Sequence, residues 1–217
     1  GIMVEAEEAK FATLRVNYRN LPQVALVHTT VVGEGPSSIA GLVEAHSPTS
    51  SVQMLSIDVD GLDFELLSTL KGTRNVRPEV IVAESNAFVR PDLKSKLGME
   101  TAMTNMQQSL WNFQQLGVEL GYTLVCFTQN AIFLRTDLLP KLEKRQGGVG
   151  PRGVKRLYFE ALLVNWNDMQ RNVNLTRRGR MEGLVSAEEK EFGVFEADLD
   201  LEVWRRRAEA EEQSASV

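Results

Sequence analysis

Apolar positions fall into short runs and helical stripes that alternate from the start of the chain to about residue 138. Ile2-Met3-Val4 is an apolar run closed by Glu5, the end of a strand. From Glu7 to Tyr18 the spacing is helical, with Phe11, Leu14 and Tyr18 on one face and acids in the first turn. Leu21-Pro22 breaks that helix, and the β-branched run Val24 to Val32 predicts a strand stopped by Gly33-Glu34-Gly35-Pro36. Ser37 is placed to cap a short helix reaching about Ala45. Val52 to Ile57 is apolar enough for a buried strand, and Asp58-Val59-Asp60-Gly61 stops it. Phe64, Leu66, Leu67 and Leu70 share a helical face that begins at Asp63 and ends near Lys71-Gly72. After Pro78 the run Val80 to Ala83 predicts a second buried strand, ending in Glu84, Ser85 and Asn86. Strand, helix and strand in this order make a crossover unit with parallel strands.

The pattern lapses between Asn86 and Gln107, which predicts a long loop or small insert facing the ligand edge of the sheet. Leu110, Phe113, Leu116 and Leu120 then mark a helix ended by Gly121. Tyr122 to Phe127 and Ala131 to Leu134 are two strands about a turn at Gln129-Asn130, a β-hairpin. The β-α alternation closed by a hairpin predicts an α/β fold, a doubly wound three-layer sandwich. The expected organisation is an α/β domain over 1–138, a charged, glycine-rich linker over 139–153 and a helical C-terminal extension over 154–217. That extension has too few apolar anchors for a core of its own. It is therefore expected to pack on the domain or on other protein subunits.

Composition narrows the function classes. The 217 residues are 43% hydrophobic and 24% charged, which is globular, and no apolar run is long enough to span a membrane. A net charge of -5 argues against nucleic-acid binding through a basic surface. The single cysteine, Cys126, excludes an internal disulfide and is expected as a buried core thiol. An intracellular location is the expectation. His28 and His46 have no partners at metal-ligand spacing, so no metal site is expected from them.

The chemistry concentrates where strands end, the edge at which open α/β sheets bind ligands. Asp58 and Asp60 sit at one such end, Glu84 and Asn86 at the next, and Glu5 at a third. The Asp58-Val59-Asp60-Gly61 turn also fits the nucleophile motif of haloacid-dehalogenase-like phosphatases, which needs a threonine where Leu62 stands. It fits the Asp-x-Asp of metal-dependent glycosyltransferases too, but that leaves Glu84, Asn86 and the hairpin without a role.

Several segments, taken in order, resemble S-adenosylmethionine-dependent methyltransferases of the FkbM type. MVEAEEAKFATLRVNY followed by PQVALVHTTVV is similar to the second and third strands of that fold. LSIDVDGLDFELLSTL and RPEVIVAESN resemble the family's IDxDG helix and E-x-N strand. SLWNFQQLGVELGYTLVCFTQNAIFLRTDL resembles its closing helix and hairpin. The resemblance covers about residues 2–138 and implies a Rossmann-like three-layer sandwich with a seven-stranded sheet, one strand reversed, a closing hairpin and a helical tail. It implies that Glu5 binds the ribose hydroxyls of S-adenosylmethionine, where a carboxylate suits a pair of vicinal hydroxyls. Asp58 and Asp60 would lie beside the methyl donor, Asp58 as base for an acceptor hydroxyl and Asp60 as its partner or a substrate contact. Glu84 and Asn86 would bind the acceptor. The sequence departs from the family at Leu62, where a polar residue is usual, and at Phe64, where tyrosine is usual. The family's first strand and its glycine-rich loop belong ahead of Ile2, and the 217 residues do not include them. The expected activity is O-methyl transfer. The alternative is a non-catalytic methyltransferase-fold subunit acting structurally in a larger assembly.

Overall fold

The computed structural model describes residues 1–47, 51–73, 75–85, 108–128 and 130–141. In chain order these form β1 (Ile2–Glu5), α1 (Glu8–Tyr18), β2 (Ala25–His28), α2 (Ile39–His46), β3 (Met54–Ile57) and α3 (Asp63–Ser68), which a 3-10 turn extends over Thr69–Gly72. β4 (Val80–Glu84), α4 (Leu110–Leu120), β5 (Tyr122–Phe127) and β6 (Asn130–Arg135) follow, then a 3-10 turn at Thr136–Leu138. The fold is α/β with a mixed sheet. The expected insert after Asn86, Asn86 itself and the chain beyond 141 lie outside the described residues.

The strands form two sheets. β1 and β2 pair in parallel, and the other four take the order β3-β4-β6-β5. β3 and β4 are parallel, while β6 lies antiparallel between β4 and β5. The hairpin thus contributes its second strand, not its first, to the β4 edge. One face of this sheet is the core: Ile81 lies opposite Phe133 and Ala83 opposite Ala131, all buried. α3 packs on β3 and β4, and α4 packs on β5 and β6. Phe64 of α3 meets Phe113 of α4 edge to face at 5.3 Å, so both helices cover the same buried face.

Local chemistry sets the helix ends. Ser109 caps α4 by accepting from the Asn112 N–H at 3.2 Å, and Gly121 ends it in the left-handed region at φ 84°. At α2 the cap is Ser38 rather than the expected Ser37. Ser38 Oγ accepts from the Gly41 N–H at 3.1 Å, whereas Ser37 shares a hydrogen bond with Thr29.

Three further expectations change. The run from Val24 is a strand only over Ala25–His28, because Val32 turns back to bridge Ser38. Cys126 is half-buried, not a core thiol, since a register shift between Leu124 and Cys126 breaks the inward alternation. β3 is not a buried strand: Ile57 is buried but Met54 is 61% exposed, and among the described residues β3 is the end strand of its sheet. The hydrophobic core begins at Ile39 and runs to Phe133, and no residue from 1 to 37 is buried.

Candidate functional site

The acidic turn after β3 is built around Asp63, a residue the sequence pattern assigned only to the start of a helix. Asp63 is fully buried. Its carboxylate accepts from the backbone N–H groups of Val59 and Gly61, each at 3.3 Å. Burial pushes the Asp63 carboxyl above its ordinary value. The Gly61, Val59 and own backbone N–H groups oppose that shift, and the nearby charge of Asp58 adds to it. The side chain that braces the turn is therefore Asp63. α3 itself has Leu62 at its N-cap position, with no side-chain cap. A signal for this was available: positions 63, 66, 67 and 70 follow the spacing of one helical face, and all four are buried.

With Asp63 inside, Asp58 and Asp60 are turned to solvent. Asp60 takes a positive φ of 54° and Gly61 one of 129°, so the chain reverses there through conformations that aspartate tolerates and glycine favours. Asp58, Asp63 and Glu84 offer carboxylate oxygens within 4.8 Å of one another. β3 and β4 are adjacent and parallel, which brings the two strand ends, and these acids, to one rim. On that rim Glu84 also lies opposite Asn130 of β6. Each Asp63 oxygen already accepts one backbone amide of the turn. Asn86 lies outside the described residues.

Glu5, at the end of β1, is half-buried, and its Oε1 accepts from the Glu7 N–H at 2.7 Å. That bond engages one of the two oxygens that a vicinal diol would use. His28 holds the same loop from β2. Its ring stacks on Phe11 with centroids 4.7 Å apart, Nε2 lies 3.1 Å from the Ala6 carbonyl, and Nδ1 lies 3.3 Å from Glu8. His28 is thus a packing and hydrogen-bonding residue.

Lys10 of α1 pairs with Glu7 at 3.1 Å. Its ammonium is held above its ordinary value first by the hydrogen bond with Glu7 and that carboxylate's charge, then by Glu5 and, more weakly, by Asp60. Glu5 and Glu84 end β1 and β4, and Asp58 and Asp60 follow the end of β3. Comparison with family models, curated proteins and solved structures found no match. Among the described residues no helix is long and apolar enough to cross a membrane.

Proposed function

We propose that this chain is the greater part of an S-adenosylmethionine-dependent, FkbM-type methyltransferase fold and that its acidic rim serves O-methyl transfer to a hydroxyl acceptor. The observation that carries this reading is the arrangement of strands. Two parallel strands form one sheet, and β3-β4-β6-β5, with only β6 reversed, forms the other. With one further strand set between β1 and β3, they would make a seven-stranded sheet with one reversed strand. The acids fall at the rim where such a sheet binds its ligand.

In this reading Glu5 accepts from the ribose hydroxyls, which requires its Oε1 to give up or share the Glu7 N–H. Asp58 is exposed at the adjoining strand end, suited to taking a proton from an acceptor hydroxyl, with Asp60 beside it and Glu84 and Asn86 as acceptor contacts. The methionine end of the cofactor has no wall among the described residues, because that wall would come from the loop after a strand between β1 and β3. No transfer step is therefore derived from this chain alone.

Titration calorimetry with S-adenosylmethionine tests the reading. Saturable binding that is lost in Glu5→Ala supports it, and no heat at millimolar cofactor sinks it. If methyl transfer is detected, Asp58→Asn should lower kcat far more than it raises KM, since a base acts only in the transition state.

A second reading has its own observation. No residue from 1 to 37 is buried, so the β1-α1-β2 unit has no core of its own. A subunit that is completed by a partner, and that acts structurally, fits that exposure. Absence of cofactor binding in a stable, partner-bound form is the result that would favour it.

A further inference from the structure

An aspartate followed by glycine is a chemically weak point in a polypeptide. The amide nitrogen of the following residue can attack the aspartate side-chain carboxyl, and a glycine there offers no Cβ to obstruct the approach. The sequence contains one such pair, Asp60-Gly61, and no Asn-Gly. The pair stands in the acidic turn, with Asp60 exposed to solvent. The other two aspartates of the turn have bulkier neighbours, Val59 after Asp58 and Phe64 after Asp63.

The reaction balances with water alone. The Gly61 nitrogen loses its proton and bonds to Asp60 Cγ, and the Cγ hydroxyl leaves as water, which closes a five-membered succinimide. Water then adds to one of the two ring carbonyls. Opening at Cγ restores aspartate. Opening at the former main-chain carbonyl breaks its bond to nitrogen and leaves isoaspartate, in which the chain runs through Cβ and Cγ.

The fold acts on this chemistry through Asp63. Its Oδ2 accepts from the Gly61 N–H and its Oδ1 from the Val59 N–H, each at 3.3 Å. One fully buried side chain therefore holds the amides on both sides of Asp60. Gly61 is itself buried. To reach Asp60 Cγ, the Gly61 nitrogen has to give up the Asp63 oxygen. The backbone has to leave its present path as well, with φ 54° at Asp60 and 129° at Gly61. Two hydrogen bonds to a carboxylate screened from water oppose that movement. The reaction therefore proceeds from the opened turn, at a rate scaled by the fraction of time the turn is open.

We propose that Asp60-Gly61 is a latent self-modification site, converting to isoaspartate from the opened turn, and that Asp63 is the positioning residue that keeps it closed. Conversion lengthens the main chain by a methylene between Asp58 and Asp63, and so takes apart the turn that sets these acids beside Glu84. The proposal rests on the turn alone, not on the methyltransferase reading.

The full chain is held at physiological temperature and neutral pH in heavy-oxygen water. Each passage through the succinimide leaves a heavy oxygen at residue 60, read by peptide mapping, and fragment masses separate isoaspartate from aspartate. A synthetic peptide of residues 56–64, which has no fold to brace it, is the reference. The native chain should label at least about fivefold more slowly than the peptide. Asp63→Ala should label about 5- to 30-fold faster than the native chain, the change in open population that a loss of this size brings. Ser38→Ala, which weakens the fold at α2, should label like the native chain, so that the brace and not general stability is read. The proposal is overturned if the native chain labels as fast as the peptide, or if Ser38→Ala speeds labelling as much as Asp63→Ala does. Labelling of Asp63→Ala no faster than that of the native chain overturns it too, since Asp63 would then be idle or acting as a base for the attack. Should Asp63→Ala not fold, Asp63→Asn, which leaves one acceptor for the two amides, decides. Faster labelling than in the native chain supports the proposal, and equal labelling overturns it.

Discussion

Replacing Asp63 by alanine should destabilise the acidic turn and, with it, the fold. In the native chain this buried carboxylate holds the N–H groups of Val59 and Gly61, both at 3.3 Å. Hydrogen bonds to charged acceptors contribute about 1.5–3 kcal/mol net, and these long ones belong at the low end, so the pair is worth about 3 kcal/mol. Against that stands the cost of burying the carboxylate, visible in the upward displacement of its proton affinity. A net loss of about 2 kcal/mol follows at neutral pH for Asp63→Ala. Asp63→Asn keeps an acceptor and buries no charge, so it should lose about 1 kcal/mol or less. The pH dependence has a definite sign. The folded state holds the Asp63 proton to a higher pH than the unfolded chain, whose carboxyl titrates near 3.8. Between 3.8 and the higher folded value the native state binds more protons, so this group's contribution to stability falls as pH rises through that window. Asp63→Asn lacks the effect, and the gap between it and the native protein should narrow over the same window. Urea unfolding followed by circular dichroism gives the free energies, and amide exchange at Val59 and Gly61 reports the turn directly. A cost for Asp63→Ala below about 0.5 kcal/mol, with both amides exchanging as before, would refute the bracing role.

Other side chains give sharp expectations. A Cβ on Gly117 would lie 2.6 Å from Cε1 and 2.8 Å from Cδ1 of the buried Phe133 ring. Gly117→Ala should therefore destabilise by about 1–3 kcal/mol in urea unfolding, against a helix-propensity gain of about 1 kcal/mol. A more stable variant would show that the ring yields. Tyr122 is buried and its hydroxyl donates to the Pro78 carbonyl at 2.7 Å. Tyr122→Phe should cost about 1 kcal/mol in the same measurement, and no loss would mean that the bond is not made in solution. Ser38→Ala removes the α2 cap and the hydroxyl's bond to the Gly35 carbonyl, and should lower stability by about 1–2 kcal/mol, with faster exchange at Gly41. An unchanged Gly41 amide would contradict the assignment of the cap.

Much of the site could be read from residue order because it depends on local rules. The acids at 5, 58, 60 and 84 stand where apolar runs stop, and a strand's end is a local feature. Asp63 is harder to read: the apolar helical face starts at Phe64, and a charged residue is normally assigned to water even when the 63-66-67-70 spacing points inward. Ser37 and Ser38 are equivalent by propensity; the choice between them is settled by Thr29, which engages Ser37. Cys126 lies in an apolar run, but the register shift beside it depends on β6 and cannot be seen within β5.

By itself, then, the sequence determined the kinds of elements and their limits. Hydrophobic period and cap chemistry act within a few residues, and they were enough to place α4, the hairpin and the β3-α3-β4 unit. The tertiary structure alone decided which edges meet. Strand pairing joins main-chain groups that look alike in every residue, so the sequence pattern of β6 does not say that it lies between β4 and β5. The pattern of β3 likewise does not say that it pairs with β4 through residues 53, 55 and 57. What the fold adds to the acidic turn is its brace, the buried Asp63 carboxylate, and its setting, the rim where β3 and β4 end side by side.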